Sequence, residues 1–440
     1  MAFVSFLSLF SLGLNNFAIN RCQIAFKRNA VFRYKLYHLS LSLIISIFLF
    51  SNLASLFIIL IASFFADFDN LLLILIFGAY TASSILLSYI SLLHRVFEKN
   101  HYSFYLSFFY TVILYAGIIM LLWLDFKSNL VALWMLFSIN LFILIHFLII
   151  FKKYHLGIKF SVRPKRFLPY INKSYKFIYF QAGDVFRINI PIVILSYLAQ
   201  PIVLIGFTVN RTLSNLQSQL FILIHQTVIQ KINSNFSMGE QDFSSRELYY
   251  FILSLSFPAL LLIAFGLFEA YLPIMQLWLG EAANSYSNVG IFILLSINST
   301  IYSFWNLGTI FLVSTNNFET LSKFSFLHGL FFSFFCLLGM IFGDIYTFLV
   351  SGIICEIIIG AGLINYEIYR YLSISLYEAA KILSVMILIT ITYFACAVIV
   401  SSEFLSIFSY VCLTVFWIIL LISRQFNSKI FSQIFYKEIS

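Results

Sequence analysis

The stretch Phe180–Ile190, FQAGDVFRINI, decides how this chain is to be read, because it places Asp184 and Arg187 inside a segment that is otherwise apolar from Phe177 to Leu198. Two charges in such a run are tolerable in a soluble core only if paired. In a membrane they demand a reason. The surroundings choose between these settings: of 440 residues 62% are hydrophobic and only 10% charged, 54 are Phe, and the mean hydropathy is +0.98. That composition excludes a soluble globular domain. Apolar runs of about 18–25 residues recur along the chain, the length that crosses a hydrocarbon core at about 1.5 Å per residue. The weak ten-residue alternation of a membrane barrel is missing, so the expected fold class is all-α, a polytopic membrane helix bundle.

Reading apolar runs between polar breaks gives thirteen expected spans, near 1–19, 39–65, 71–93, 102–124, 130–151, 176–197, 201–229, 249–268, 286–313, 322–343, 345–366, 379–400 and 404–423. Charge distribution tests the count. With the loop after the first span inside, the inside segments gather 23 of the 26 basic residues, while the outside loops hold one, Lys127, against seven acids. A miscounted span would scramble this alternation. The net charge of +9 is therefore a topology signal and not a nucleic-acid footprint, and the C-terminus is expected in the cytoplasm. The N-terminus MAFVSFLSLFSLGLNN has neither a basic leader nor a small-residue cleavage site.

A faint repeat organises the spans. Leu39-Ser40-Leu41-Ser42, following a basic loop, is echoed 214 residues later by Leu253-Ser254-Leu255-Ser256 after another charged loop. The offset covers six helices, so both copies keep one orientation, as in transporters built from parallel repeats. In that register the helix at 176–197 lacks a counterpart, and a fourteenth helix is expected to precede Met1. The expected organisation is an N-terminal lobe at 1–151, a basic cytoplasmic linker at 152–175, a C-terminal lobe at 176–370, and two additional helices with a short tail at 371–440.

Four charges remain inside spans: Asp184, Arg187, Arg211 and Glu356. Each costs about 2.5–3.5 kcal/mol at a helix centre on insertion scales. Asp184 and Arg187 share a helix face three residues apart, either as a self-neutralising pair or as the lining of a water-filled pathway, and Pro191 can kink the helix just beyond. Arg211, Asn215, Ser218 and His225 fall on one stripe of the next helix. A guanidinium among hydroxyl and amide groups suits a phosphate with attached sugars; His225, nearer the inside end, reads as a packed histidine. Glu356 either partners Arg211 or binds a coupling H+ or Na+. The five cysteines are scattered without metal-ligand spacing, no GxSxG, HExxH or phosphate-binding loop occurs, and neither metal nor cofactor is expected. HYSFY near 101 and KKYH near 152 read as headgroup anchors at the inside surface.

The segments FSLGLNNFAINRCQIAFKRN, QAGDVFRINIPIVIL and PIVLIGFTVNRTLSNLQSQL, with the basic loop between halves, resemble polysaccharide-type transporters of the multidrug/oligosaccharidyl-lipid/polysaccharide (MOP) exporter superfamily, above all the O-antigen and capsule repeat-unit flippases of Wzx type. The resemblance covers most of residues 1–320. It implies two pseudo-symmetric six-helix lobes around a central cationic cavity. It further implies transfer of an undecaprenyl-pyrophosphate-linked oligosaccharide to the outer leaflet of the bacterial inner membrane, usually coupled to an ion gradient, with membrane lipid as the other partner. The residues expected to hold that substrate are Arg211, Arg187, Asn215 and Ser218, with Asp184 and Glu356 as ion-coupling groups or charge partners. Two rivals stand beside this reading. An O-antigen polymerase should carry a sizeable outside loop with arginines, whereas the longest here, Glu269 to Tyr286, has no basic residue. A drug/cation antiporter of the same fold should favour acids in its cavity.

Overall fold

The computed structural model describes residues 68–96, 99–154, 164–218, 245–314, 319–399 and 409–419, with scattered positions between 38 and 53. Among them all regular structure is helical. Contacts divide the chain into two compact units, one of residues 1–185 with 233–239 and the other of 186–232 with 240–440.

In the first unit, α1 (Phe68–Val96), α2 (Asn100–Trp123) and α3 (Ser128–Tyr154) are followed by the start of α4 (Pro164–Leu198). The centre is α3, which packs on both α1 and α2. Helix α2 comes so close that a Cβ on Gly117 would lie 2.1 Å from the Trp134 indole, which donates a hydrogen bond to the Leu114 carbonyl at 3.2 Å. The opposite face of α2 exposes Phe104, Tyr105, Phe108, Ile119 and Met120. A continuous apolar face of this size is stable when lipid surrounds it.

The second unit takes up the rest of α4, then α5 (201–218), α6 (Ser245–Glu269), α7 (Tyr271–Leu279), α8 (Val289–Ser314), α9 (Glu319–Phe342), α10 (Ile345–Cys355), a π-helical segment (Glu356–Ile364), α11 (Asn365–Tyr371), α12 (Leu376–Ile399) and α13 (Ser409–Ile419). The π-segment and α11 prolong α10 into one membrane-length rod, Ile345–Tyr371, which packs on α8 and α9. Polar side chains within the spans mostly turn back on their own helix, as Ser333 does to the Gly329 carbonyl at 2.8 Å and Thr208 to Leu204 at 2.8 Å. They need no partner elsewhere.

Eight helices among the described residues are long and apolar enough to cross a membrane, at Leu75–His94, His101–Leu121, Ser128–Lys153, Arg246–Glu269, Val289–Val313, Glu319–Phe342, Ile345–Tyr371 and Leu376–Tyr393. Each coincides with an expected span. Helices also fill the expected span at 176–197 and the described parts, 201–218 and 409–419, of those at 201–229 and 404–423, although α4 starts at Pro164, well before 176, since hydropathy marks where lipid begins and not where a helix does. The first expected span and most of the second lie outside the described residues.

Candidate functional site

The site is built from the part of α4 after residue 185, from α5, α8 and α9, and from the rod that begins with α10, all within the second unit. Helix α4 stays helical through Pro191, whose missing N–H leaves the Arg187 carbonyl without its usual acceptor role. The side chain of Arg187 leaves this helix to meet Glu356, with Nη1 3.3 Å from Oε1. Its guanidinium also sits over the Tyr302 ring at 3.5 Å from the centroid.

Glu356 is 0% exposed. Its Oε2 accepts a hydrogen bond from Trp305 Nε1 at 2.8 Å and faces His328 Nε2 at 3.4 Å. The π-segment begins at Glu356, and such widened turns cluster at functional positions. Four residues on, Gly360 lies against the indole so tightly that a Cβ there would come within 2.3 Å of Trp305 Nε1. The absence of a side chain at 360 is what lets the indole reach the carboxylate.

Helix α5 is held in rotation by a second polar knot. Tyr271 donates to Asn210 Oδ1 at 2.6 Å and accepts from the Asn288 backbone N–H at 2.6 Å, while Asn210 Nδ2 donates to the carbonyls of Gly206 and Tyr286. With Asn210 committed to α7, the neighbouring stripe of α5 faces a cavity of about 330 Å³. Arg187, Arg211, Ser214, Asn215 and Ser218 line it, together with Asn298, Ser299 and Tyr302 of α8 and apolar walls from Phe207, Phe332 and Phe348. No acid lines it. Nη1 of Arg211 is buried there without a hydrogen-bond partner among the described residues. Its nearest aromatic support is Phe207, 5.8 Å from the guanidinium carbon.

The structure thus gathers Arg187, Arg211, Asn215 and Ser218 around one space. Glu356 is absent from the lining and backs Arg187 from within the protein. Of the two alternatives open for Glu356, the ion pair with Arg211 is not the one formed: Glu356 meets Arg187, 169 residues away. Asp184 occupies α4 one turn before Arg187 and belongs to the first unit. His225 lies outside the described residues. Tyr302, Trp305 and His328 were missed by a reading that counted only full charges. A tryptophan in mid-span, away from the interfaces that the residue prefers, was the available signal, since its N–H needs an acceptor. Among the described residues no group of three or more His, Cys, Asp or Glu could hold a metal ion.

No protein-family model matches the chain, and no curated protein matches it by sequence. Solved structures do match in fold. A MATE protein in its straight conformation superposes with a TM-score of 0.64 at 12% identity, over 84% of this chain and 87% of the other. A MOP-superfamily transporter from Pyrococcus furiosus, described as having a binding pocket of reverse polarity, gives 0.62 at 13% over 84% and 86%. The lipid II flippase MurJ, inward closed, gives 0.51 at 15% over 99% and 98%. The chain is an all-helical, multi-pass membrane protein with the fold shared by these transporters.

Proposed function

We propose that the chain is a Wzx-type flippase of the bacterial inner membrane, which moves an undecaprenyl-pyrophosphate-linked oligosaccharide repeat unit from the cytoplasmic to the outer leaflet by alternating access. On this reading no bond is made or broken. One observation carries it: two arginines share a cavity that no acid lines among the described residues, and Nη1 of Arg211 is buried there without a hydrogen-bond partner among them. A buried donor without an acceptor costs about 1–3 kcal/mol, more for a charged group, and an anion would recover that cost. Arg211 and Arg187 would take pyrophosphate oxygens, for which a guanidinium fork is well shaped, while Asn215, Ser218 and Asn298 offer the hydroxyl and amide partners that sugars need.

The rival within the same fold is an antiporter of cationic drugs. Such a cargo needs an acid facing the cavity, and the one buried acid of the site, Glu356, is covered by Arg187, Trp305 and His328. Replacing Arg211 with Ala separates the readings. In a strain that depends on this gene for surface polysaccharide, the variant inserts normally but lowers polysaccharide at least tenfold, and expulsion of cationic dyes does not change. Wild-type polysaccharide at matched protein level would remove Arg211 from substrate binding.

A further inference from the structure

The second unit has another opening, which shares no lining residue with the cavity of Arg211. It is a groove of about 270 Å³ between α6 and α12, lined from Arg246 to Phe257 on one helix and from Glu378 to Ile389 on the other. Both stretches run about 16 Å at 1.5 Å per residue, close to one leaflet's half of a hydrocarbon core of about 30 Å. Polarity changes along the groove and not across it. Arg246, Glu247 and Tyr250 of α6 and Glu378 and Lys381 of α12 form one end, and Leu253, Phe257, Val385, Met386 and Ile389 form the rest. The exception, Ser254, turns its hydroxyl onto the Phe251 carbonyl at 2.8 Å. Both helices begin at the polar end, which the charge distribution assigns to the inside face. There Arg246 meets Glu378 Oε1, while Oε2 accepts from the Ser375 backbone N–H at 2.9 Å and its hydroxyl at 3.1 Å. That ion pair is committed to joining the helices. Glu247 and Lys381 stand exposed at the same mouth, one on each helix and opposite in sign.

We propose that this groove is a binding site for one zwitterionic phospholipid of the inside leaflet, with a phosphate and a primary ammonium in its headgroup, as in phosphatidylethanolamine. An acyl chain lies along Leu253, Phe257, Val385 and Ile389, the phosphate meets Lys381, and the ammonium meets Glu247. Length and charge both favour this occupant. The apolar floor starts at headgroup level and ends about one leaflet deep, which suits a chain anchored at the surface. The charged lining residues, among those described, are two cations and two anions, so the mouth has no net charge to attract an anion. A purely anionic headgroup, or the phosphate of an isoprenoid carrier, finds Lys381 but also faces the Glu247 carboxylate. A zwitterion finds an opposite partner for each of its charges. The ammonium has to be primary, because a carboxylate accepts hydrogen bonds only from N–H or O–H groups, and a quaternary ammonium has none. Seated there, the lipid touches both helices and ties α12 to the rest of the second unit, and a ligand held only by the folded state stabilises that state.

The test takes the full chain in detergent and adds phosphatidylethanolamine, phosphatidylglycerol and phosphatidylcholine with matched acyl chains, and undecaprenyl phosphate beside them. Native mass spectrometry then measures the lipid that the wild type retains beyond Val385→Phe, a variant whose larger side chain fills the groove. Phosphatidylethanolamine should exceed each of the others about tenfold, the worth of one hydrogen bond to a charged group. Glu247→Gln combined with Lys381→Gln should still retain a lipid but without preference among headgroups. Equal retention by wild type and Val385→Phe would overturn the groove as a site. Preference for either other phospholipid, or undecaprenyl phosphate in its place, would overturn the zwitterion assignment. If Val385→Phe does not insert, thermal unfolding of the wild type decides. Phosphatidylethanolamine should then raise the melting temperature more than the other lipids do, and an equal rise with all of them would overturn the proposal. No outcome bears on the phosphate reading of the cavity, whose residues lie elsewhere.

Discussion

Each unit buries a polar cluster, and the two clusters solve the same problem in opposite ways. In the first unit His94 and His146, from α1 and α3, meet ring to ring with Nε2 and Nδ1 2.9 Å apart, both essentially unexposed. One nitrogen donates and the other accepts, so at least one ring is neutral and the contact between them is satisfied without a charge. In the second unit Arg187 and Glu356 carry formal charge, with Trp305 and His328 packed around the carboxylate, and the cation reaches a cavity. A neutral pair is enough to fasten two helices in lipid. A charged group bordering open space costs more than fastening requires, which is why binding is assigned to the second unit and packing to the first.

The largest expected effect would break the second cluster. Glu356→Leu leaves Arg187 buried beside Tyr302 without its carboxylate, and removing one partner of a buried pair costs about 3–5 kcal/mol. The double variant Arg187→Leu with Glu356→Leu removes both charges and should recover most of that stability while losing transport. Thermal unfolding of the purified variants checks this. If the double variant is no more stable than Glu356→Leu, the two side chains are not energetically coupled, and the contrast with the histidine pair collapses.

The contrast was only partly visible in the sequence. Membrane-length helices were legible because lipid imposes a length of about 20 apolar residues, and eight of the expected spans reappear as apolar helices. The stripe Arg211, Asn215 and Ser218 was legible because helical spacing alone places those residues on one face, and the cavity lies against that face. The partner of Glu356 was not legible. Spacing speaks only within a helix, whereas Arg187 arrives from 169 residues away and was read against Asp184, its neighbour on α4. Trp305 and His328 carry no fixed charge, so an inventory of intramembrane charges passed over them. The start of the π-segment at Glu356 also has no period of its own, and the nearby Gly360 becomes meaningful only once Trp305 is found lying on it.

The first cluster offers a middle-sized test. His146→Leu approximates the ring's volume but leaves His94 Nε2, buried, without the partner that it has at 2.9 Å. The expected loss is about 1–3 kcal/mol, the cost of a buried polar atom left unsatisfied, and so smaller than that of Glu356→Leu. Replacing both histidines with Leu should restore stability, and surface polysaccharide should persist in the double variant, because neither histidine is among the residues that line the cavity of the second unit. Loss of polysaccharide at normal protein level would make the histidines functional and end the division of labour between the units.

The smallest effect comes from a carboxylate on the same rod as Glu356 but at its exposed end. Asp344 begins α10 with a reciprocal cap: its Oδ1 accepts from the backbone N–H groups of Tyr346 and Thr347 at 3.0 Å each and from the Thr347 hydroxyl at 2.8 Å, while that hydroxyl accepts from the Asp344 N–H. The bonds from Thr347, backbone first and then side chain, hold the Asp344 carboxyl below its ordinary range. A folded value below the unfolded one means that the contribution is complete above the unfolded value of about 3.9 and fades as pH falls through the lower, folded value. Asp344→Ala should therefore lower the melting temperature slightly at pH 7, and the gap from wild type should close as the buffer is taken below about pH 4. Glu356 on the same rod is the counterpart, since its carboxylate meets the Trp305 N–H and the Arg187 guanidinium in the interior instead of water. An Asp344→Ala gap that stayed constant from pH 7 to pH 3 would show that the cap acts through Thr347 and the chain reversal alone, with no contribution from the carboxylate charge.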